Sequence, residues 1–210
     1  DAVISRRVRN GSGNIAKESA MSETECRSAM EAGRNVLRQM KERGYSIVSI
    51  GEMGIGNTTP TAVLAGLLMK LDAPEVTGRG AGLSNDGLDR KIRTVQKAMD
   101  RIRAMGDISP ETMLREGGGL EIAAMTGLLL EAEKQNMPVV LDGAITLVAA
   151  LVAVWMDPRS RRILIASHDP QEPSGHRTLE ELDLPAAIRG DLSLGEGTGA
   201  MLLIPMLVNE

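Results

Sequence analysis

The chain has 210 residues, 42% of them hydrophobic and 25% charged, with a net charge of −4. That is enough for one sizeable core and is the balance of a soluble globular protein. The negative charge and the scarcity of base-stacking aromatics (no Phe, one Tyr, one Trp) exclude nucleic acid as an expected partner.

A single cysteine, Cys26, excludes an internal disulfide framework and suits a reducing compartment. The longest apolar run, 144–156, is shorter than the ~20 residues that span a bilayer. The expectation is a cytoplasmic protein with no membrane partner. The chain opens at Asp1 in a charged stretch, DAVISRRVRN, and an N-terminal portion is expected to be missing.

Ser22 to Glu25 spells a capping box, which predicts a helix to about Arg43 with Gly44 as its left-handed stop. Cys26 then reads as an ordinary residue at a helix start. SIVSI, 46–50, is a short β-branched strand. It runs into the glycine loop GEMGIGNTT, after which Thr58 or Thr59 can cap a helix to Lys70. A second glycine loop, TGRGAGLSNDG, precedes a charged amphipathic helix of about 88–105. Ser109-Pro110 opens a short helix, and another covers about 120–135. MPVVLDG is a strand that ends in an acid and leads into the apolar helix 144–156. RRILIASH is a third strand, EPSGHRTLEEL leads into a helix from about Arg177, and LSLGEGTGAMLLIPML turns into a final apolar helix.

Strand, loop and helix alternate throughout. This predicts an α/β fold: three layers, a mostly parallel sheet with helices on both faces. Residues 1–190 form a large nucleotide-binding domain in this reading, and 191–210 contribute a helix to a small helical domain. Loops that follow parallel strands share one sheet edge, where ligands bind. Here these are 51–59, Asp142-Gly143 and 167–176.

The first loop nearly spells a P-loop. Gly51, Gly56 and Thr58 fit, but Asn57 stands where the lysine belongs. Gly54 and Gly56 let the backbone turn and offer N–H groups, and the helix end favours an anion. A phosphate site follows more readily than a magnesium–triphosphate site. Glu52 would repel a phosphate unless it works elsewhere: moving a proton, accepting from a ribose hydroxyl, or facing solvent. LGEGTGA repeats the Gly-Glu element, with Glu196 between two glycines and Thr198 capping the last helix. Two such elements suggest two carboxylates on one pocket. Arg79, Lys91 and Arg93 are candidate phosphate cations. His168, His176 and Cys26 lack metal-ligand spacing, so no metal is expected. A serine hydrolase through Ser167 or Ser174 lacks the G-x-S-x-G elbow.

Taken together these segments resemble the nicotinate-nucleotide–dimethylbenzimidazole phosphoribosyltransferase family, which assembles the lower ligand of cobalamin. The matching stretches are GEMGIGNTT, GRGAGL, GLEIAAMTG, PVVLDG, IASH, EPSGHR and LGEGTGA. They occur in the family's order and cover nearly the whole chain. The resemblance implies phosphoribosyl transfer from nicotinate mononucleotide to a benzimidazole-type base, without metal or other cofactor, in a homodimer. It implies that Glu196 is the general base and Glu52 a second catalytic acid. Gly54, Gly56, Asn57, Thr58, Thr59, Gly78, Arg79, Gly80, Lys91, Ser167 and His168 would bind the nucleotide and its phosphate. Met53, Asp142 and Leu194 would line the site. The chain corresponds to the family's C-terminal three-fifths. It departs from the pattern at Ala144, where many relatives carry an aromatic, and at Ser174, an extra residue in the usual EPGH. Other readings are the same donor with adenine, another benzimidazole or a phenol as acceptor, a non-catalytic nucleotide-binding subunit, and a P-loop-like NTPase.

Overall fold

The computed structural model describes residues 4–190, 192 and 195–208. Leu194, expected to line the site, lies outside the described residues. The elements run α1 (Glu23–Glu42), β1 (Val48–Ile50), α2 (Thr58–Leu68), α3 (Ala73–Val76), α4 (Asn85–Arg103), α5 (Pro110–Gly117) and α6 (Leu120–Lys134). They continue with β2 (Val139–Leu141), α7 (Ala144–Met156), a 3₁₀ turn (Pro158–Ile163), β3 (Leu164–His168), α8 (Pro173–Glu181), β4 (Ala186–Ile188) and α9 (Thr198–Val208).

Local chemistry explains most of these boundaries. Ser22 Oγ accepts from the Glu25 amide at 3.2 Å, and the Glu25 carboxylate accepts from the Ser22 amide at 2.8 Å, so the capping box forms. Gly44 follows α1 at φ +86°. Ser109 caps α5 by accepting from the Thr112 amide. α8 starts at Pro173, earlier than the expected Arg177, because proline's fixed φ suits the first helical turn. Two short elements were not expected. α3 rests on its own capping box between Asp72 and Glu75. β4 carries two alanines and no strong strand signal, and it exists because β3 offers a free edge.

The strands form one parallel sheet in the order β1-β2-β3-β4. Consecutive parallel strands joined by right-handed crossovers put every connecting helix on the same face. The alternation of side chains records this. Val139 and Leu141 of β2, and Leu164 and Ala166 of β3, point into the large core with α1, α2 and α4–α7. Val140 and Ile165 point the other way, against Ala200, Leu203 and Ile204 of α9. The three layers are thus helices, sheet and α9. α7, buried along most of its length, lies between α6, α2 and α8. No helix among the described residues is long and apolar enough to cross a membrane.

Candidate active site

Because the strands are parallel, β1, β2 and β3 all deliver their carboxyl ends to one edge. Glu52 follows β1, Asp142 follows β2, and Ser167 and His168 close β3. The start of α9 lies across this edge, bringing with it the turn Gly195-Glu196-Gly197.

All three residues of that turn are left-handed, at φ +67°, +58° and +82°. Such a conformation costs an ordinary residue ~1–2 kcal/mol. Glycine on both sides makes the run tolerable and leaves Glu196 the single residue under strain. The turn is anchored twice. The Glu196 amide donates to the Glu52 carbonyl at 3.1 Å. Asp142, buried at the end of β2, accepts from the Gly197 amide at 2.9 Å and from the Ala200 amide at 3.1 Å. Asp142 therefore caps α9, the role expected of Thr198. Thr198 is already the first helical residue, so its own side chain is past the capping position. A Cβ on Gly51 would lie 2.5 Å from Gly197 Cα. The two Gly-Glu loops meet backbone to backbone, and both acids share one corner.

The Glu52 carboxylate is held by its own loop. Its Oε2 accepts from the Gly54 amide at 2.8 Å and from the Asn57 side-chain amide. Asn57 occupies the N-cap of α2 but commits its side chain to Glu52, so no side chain caps that helix, contrary to the expectation for Thr58 or Thr59. Nearby stands Glu121, at the start of α6. Burial pushes its carboxyl above the ordinary glutamate range; the Glu52 charge adds to this. The sequence reading missed Glu121, whose one signal was its place just after three glycines.

One peptide bond away, Thr58 belongs to a second cluster. The Lys91 ammonium is buried and donates to Thr58 Oγ1 and to the Gly78 carbonyl, both at 2.9 Å. Burial lowers its pKa from the ordinary lysine value, and Glu172 partly restores it. The Gly80 amide donates to Glu172 Oε1 at 2.5 Å. Lys91 comes from α4, Gly78 and Gly80 from the second glycine loop, and Glu172 from the N-cap of α8.

A third cluster lies under α9. Ser167 Oγ donates to the Asp142 carbonyl at 2.8 Å and stands 2.9 Å from His168 Nδ1. Since Ser167 has one proton to give, His168 Nδ1 is the donor of the second bond. Burial lowers the His168 pKa, favouring the neutral ring. A Cβ on Gly199 would lie 2.6 Å from His168 Cε1, which ties this ring to the first turn of α9.

Glu52, Asn57, Gly54 and Glu196 thus share one corner, and Thr58, Lys91, Gly78 and Gly80 the next. Ser167, His168 and Asp142 support them from below. Arg79 instead turns along its own loop, donating to the Leu83 carbonyl and to Asn85. Gly56 sits at the exposed crest at φ +80°. Thr59 is half-buried, its amide donating to the Gly56 carbonyl. Met53 is 77% exposed and Ile55 fully so, leaving apolar surface on the loop beside the acids. The two departures from the family pattern lie together: a Cβ on Gly175, next to Ser174, would come within 2.9 Å of Ala144 Cβ. Cys26 is buried, its thiol pushed up to about 11 by that burial.

Comparison with known proteins bears on this arrangement. The sequence model described as phosphoribosyltransferase matches residues 1–209. A nicotinate-nucleotide–dimethylbenzimidazole phosphoribosyltransferase of Desulforamulus reducens is 41% identical over 206 residues, 98% of this chain and 58% of its own. The enzyme of the same name from Thermus thermophilus is 40% identical over 205 residues, 98% of this chain and 61% of its own. The crystal structure of CobT from Thermus thermophilus superposes with a TM-score of 0.93 at 39% identity, covering 97% of this chain and 61% of that one. The chain spans about three-fifths of the length of the curated relatives it matches.

Proposed function

The chain belongs to the nicotinate-nucleotide–dimethylbenzimidazole phosphoribosyltransferase family, and from that premise we propose that the protein moves the phosphoribosyl group of nicotinate mononucleotide to 5,6-dimethylbenzimidazole or a related base. The products are α-ribazole 5′-phosphate and nicotinate. The observation that carries the proposal is the contact between the two Gly-Glu loops, with the Lys91 cluster one peptide away.

In this reading the donor's phosphate lies against Lys91 and the amino end of α2. A monophosphate carries less charge than a triphosphate, so one cation, backbone amides and a helix end suffice. This accounts for Asn57 in place of the P-loop lysine. The acceptor's azole nitrogen attacks C1′ from the face opposite nicotinate. The C1′–N bond to nicotinate breaks, and its electron pair stays on the pyridine nitrogen. Glu196 takes the azole proton. Glu52 stands beside the reacting carbon, and Met53 and Ile55 offer apolar surface to the flat base. The proposal includes a cytoplasmic homodimer. Exposed Met201, Leu202, Met206 and Leu207 on α9 support an apolar contact surface there; sedimentation showing a monomer at working concentration would remove that part.

The main test is direct. Incubate the protein with nicotinate mononucleotide and 5,6-dimethylbenzimidazole and follow α-ribazole phosphate by mass spectrometry, with adenine, other benzimidazoles and phenols as competing acceptors. The expected result is product with a benzimidazole. Product with none of these acceptors sinks the proposal.

A further inference from the structure

Glu172 opens the motif EPSGH, and the sequence alone assigns this acid no role. Its carboxylate lies on the backbone of the second glycine loop. Oε1 accepts from the Gly80 amide at 2.5 Å. A Cβ on Gly78 would lie 2.5 Å from Oε2 and 2.6 Å from the carboxyl carbon, so the missing side chain at Gly78 is what lets the acid sit there. Oε2 is enclosed and finds no hydrogen-bond donor among the described residues. It stands 3.9 Å from the Lys91 ammonium.

A buried carboxylate oxygen without a donor is destabilising and calls for an explanation. An acid beside the one buried cation of a phosphate site would also weaken phosphate binding, unless the acid shapes the site. The geometry favours shaping. Glu172 sits at the N-cap of α8, immediately before Pro173, whose ring fixes the chain direction. Its Oε1 is committed to the Gly80 amide, which is therefore not offered to a ligand. The Gly78 carbonyl, one of the two acceptors that aim Lys91, belongs to the same clamped turn.

We propose that Glu172 is a positioning residue: it clamps the Gly78–Gly80 turn and so aims the Lys91 ammonium at the phosphate of the donor nucleotide. The inference rests on the phosphoribosyl-transfer reading above. In it, EPSGH and GRGAG are two halves of one device, joined by one hydrogen bond across 92 positions of sequence.

The test compares Glu172→Ala with Glu172→Gln. Glutamine keeps an oxygen for the Gly80 amide and drops the charge. Losing a charge-assisted hydrogen bond is worth about tenfold or more in affinity. Glu172→Ala should therefore raise the dissociation constant and KM for nicotinate mononucleotide about tenfold, while kcat changes little. Glu172→Gln should stay within about threefold of the parent. Should the alanine variant not fold, Glu172→Asp, too short to reach Gly80, should show the same loss. Amide hydrogen exchange at Gly80 should quicken in the alanine or aspartate variant and not in the glutamine one.

Unchanged nucleotide affinity in the alanine variant, or a glutamine variant as impaired as alanine, overturns the clamp. If the parent protein binds no nicotinate mononucleotide at all, the reaction proposed above fails instead. The exchange measurement then decides Glu172 alone, and an unaltered Gly80 rate overturns it.

Discussion

Where α1 crosses α6, Gly33 and Gly127 let two helix backbones touch: a Cβ on Gly33 would lie 2.7 Å from the Ala124 carbonyl carbon, and one on Gly127 2.6 Å from Met30 Cα. At the sheet edge, Gly51 and Gly197 let two loops touch in the same way. The pairs differ in what the contact achieves. Between the helices, contact joins a capped, closely packed body, and no charged group stands on the glycines. At the edge, contact joins the loops that carry Glu52 and Glu196 and holds Glu196 in a left-handed conformation. The same residue type serves packing in one place and placement of chemistry in the other. Substitutions should separate the two uses: damage in the body should lower stability, and damage at the edge should lower turnover.

The largest effect is expected at Glu196. Glu196→Gln removes the proposed base and leaves the backbone turn intact. A positioned base is worth ~10²–10⁴ in rate, so kcat should fall by that factor, equivalent to about 3–5 kcal/mol of barrier. The melting temperature should not move. A variant that keeps more than a tenth of parental kcat would show that the acid corner is not where the proton goes.

Next comes the body. Gly127→Ala forces a methyl group onto the Met30 backbone, which cannot give way as a flexible side chain could. Overpacking of this kind costs ~1–3 kcal/mol. The melting temperature should drop, while kcat per folded molecule remains near the parent's. Gly51→Ala is the matched change at the edge and should show the reverse, reduced kcat with a smaller loss of stability. If both variants lose stability alike and turnover alike, the distinction between the two glycine contacts fails.

How much of this was legible in the sequence follows the range of the interactions. The α1 capping box, the Ser109-Pro110 start of α5 and the apolar α7 rest on neighbours within a few positions, and the residues announce them. β4 was not legible because its two alanines carry no strand signal, unlike the β-branched and aliphatic residues of the equally short β1 and β2, and α3 is a single four-residue turn. At the site, the glycine loops and both acids stood out by type and spacing, and the parallel order implied a common edge. What did not show was which side chain holds which loop. Asp142 caps a helix 55 positions later, and Glu172 clamps a turn 92 positions earlier. Glu121 comes beside Glu52 only because the fold brings the start of α6 near the loop after β1. No local pattern encodes such pairings, since the fold supplies the partner.

Asp142 tests the comparison at its boundary, since it is a body residue whose partners are at the edge. Asp142→Ala leaves the Gly197 and Ala200 amides without an acceptor, and loss of a cap typically costs ~1 kcal/mol, up to ~2. Stability should fall by that amount and kcat should fall with it, because the turn carrying Glu196 loses one of its two anchors. Asp142→Asn, which keeps one good acceptor, should lie between. A full loss of stability with unchanged kcat would mean that the turn is set by the Glu52 carbonyl alone.

The smallest expected effect concerns pH and falls on the support beneath α9. His168 is buried against Gly199, and burial lowers its pKa despite the opposing pull of Asp142 and Asp169. The unfolded chain therefore takes up a proton before the folded one does. The stability tied to this ring is fully present above the ordinary histidine pKa of about 6.5 and is lost progressively as pH falls below it. Thermal melts between pH 8 and pH 5 should show this decline, and His168→Asn, which cannot titrate, should flatten it. The decline should also be steeper for α9 than for α1, because His168 touches the first turn of α9. Hydrogen exchange read helix by helix would show this. Equal loosening of both helices at low pH would mean that edge and body respond as one unit, and the comparison would then hold for placement of the acids but not for stability.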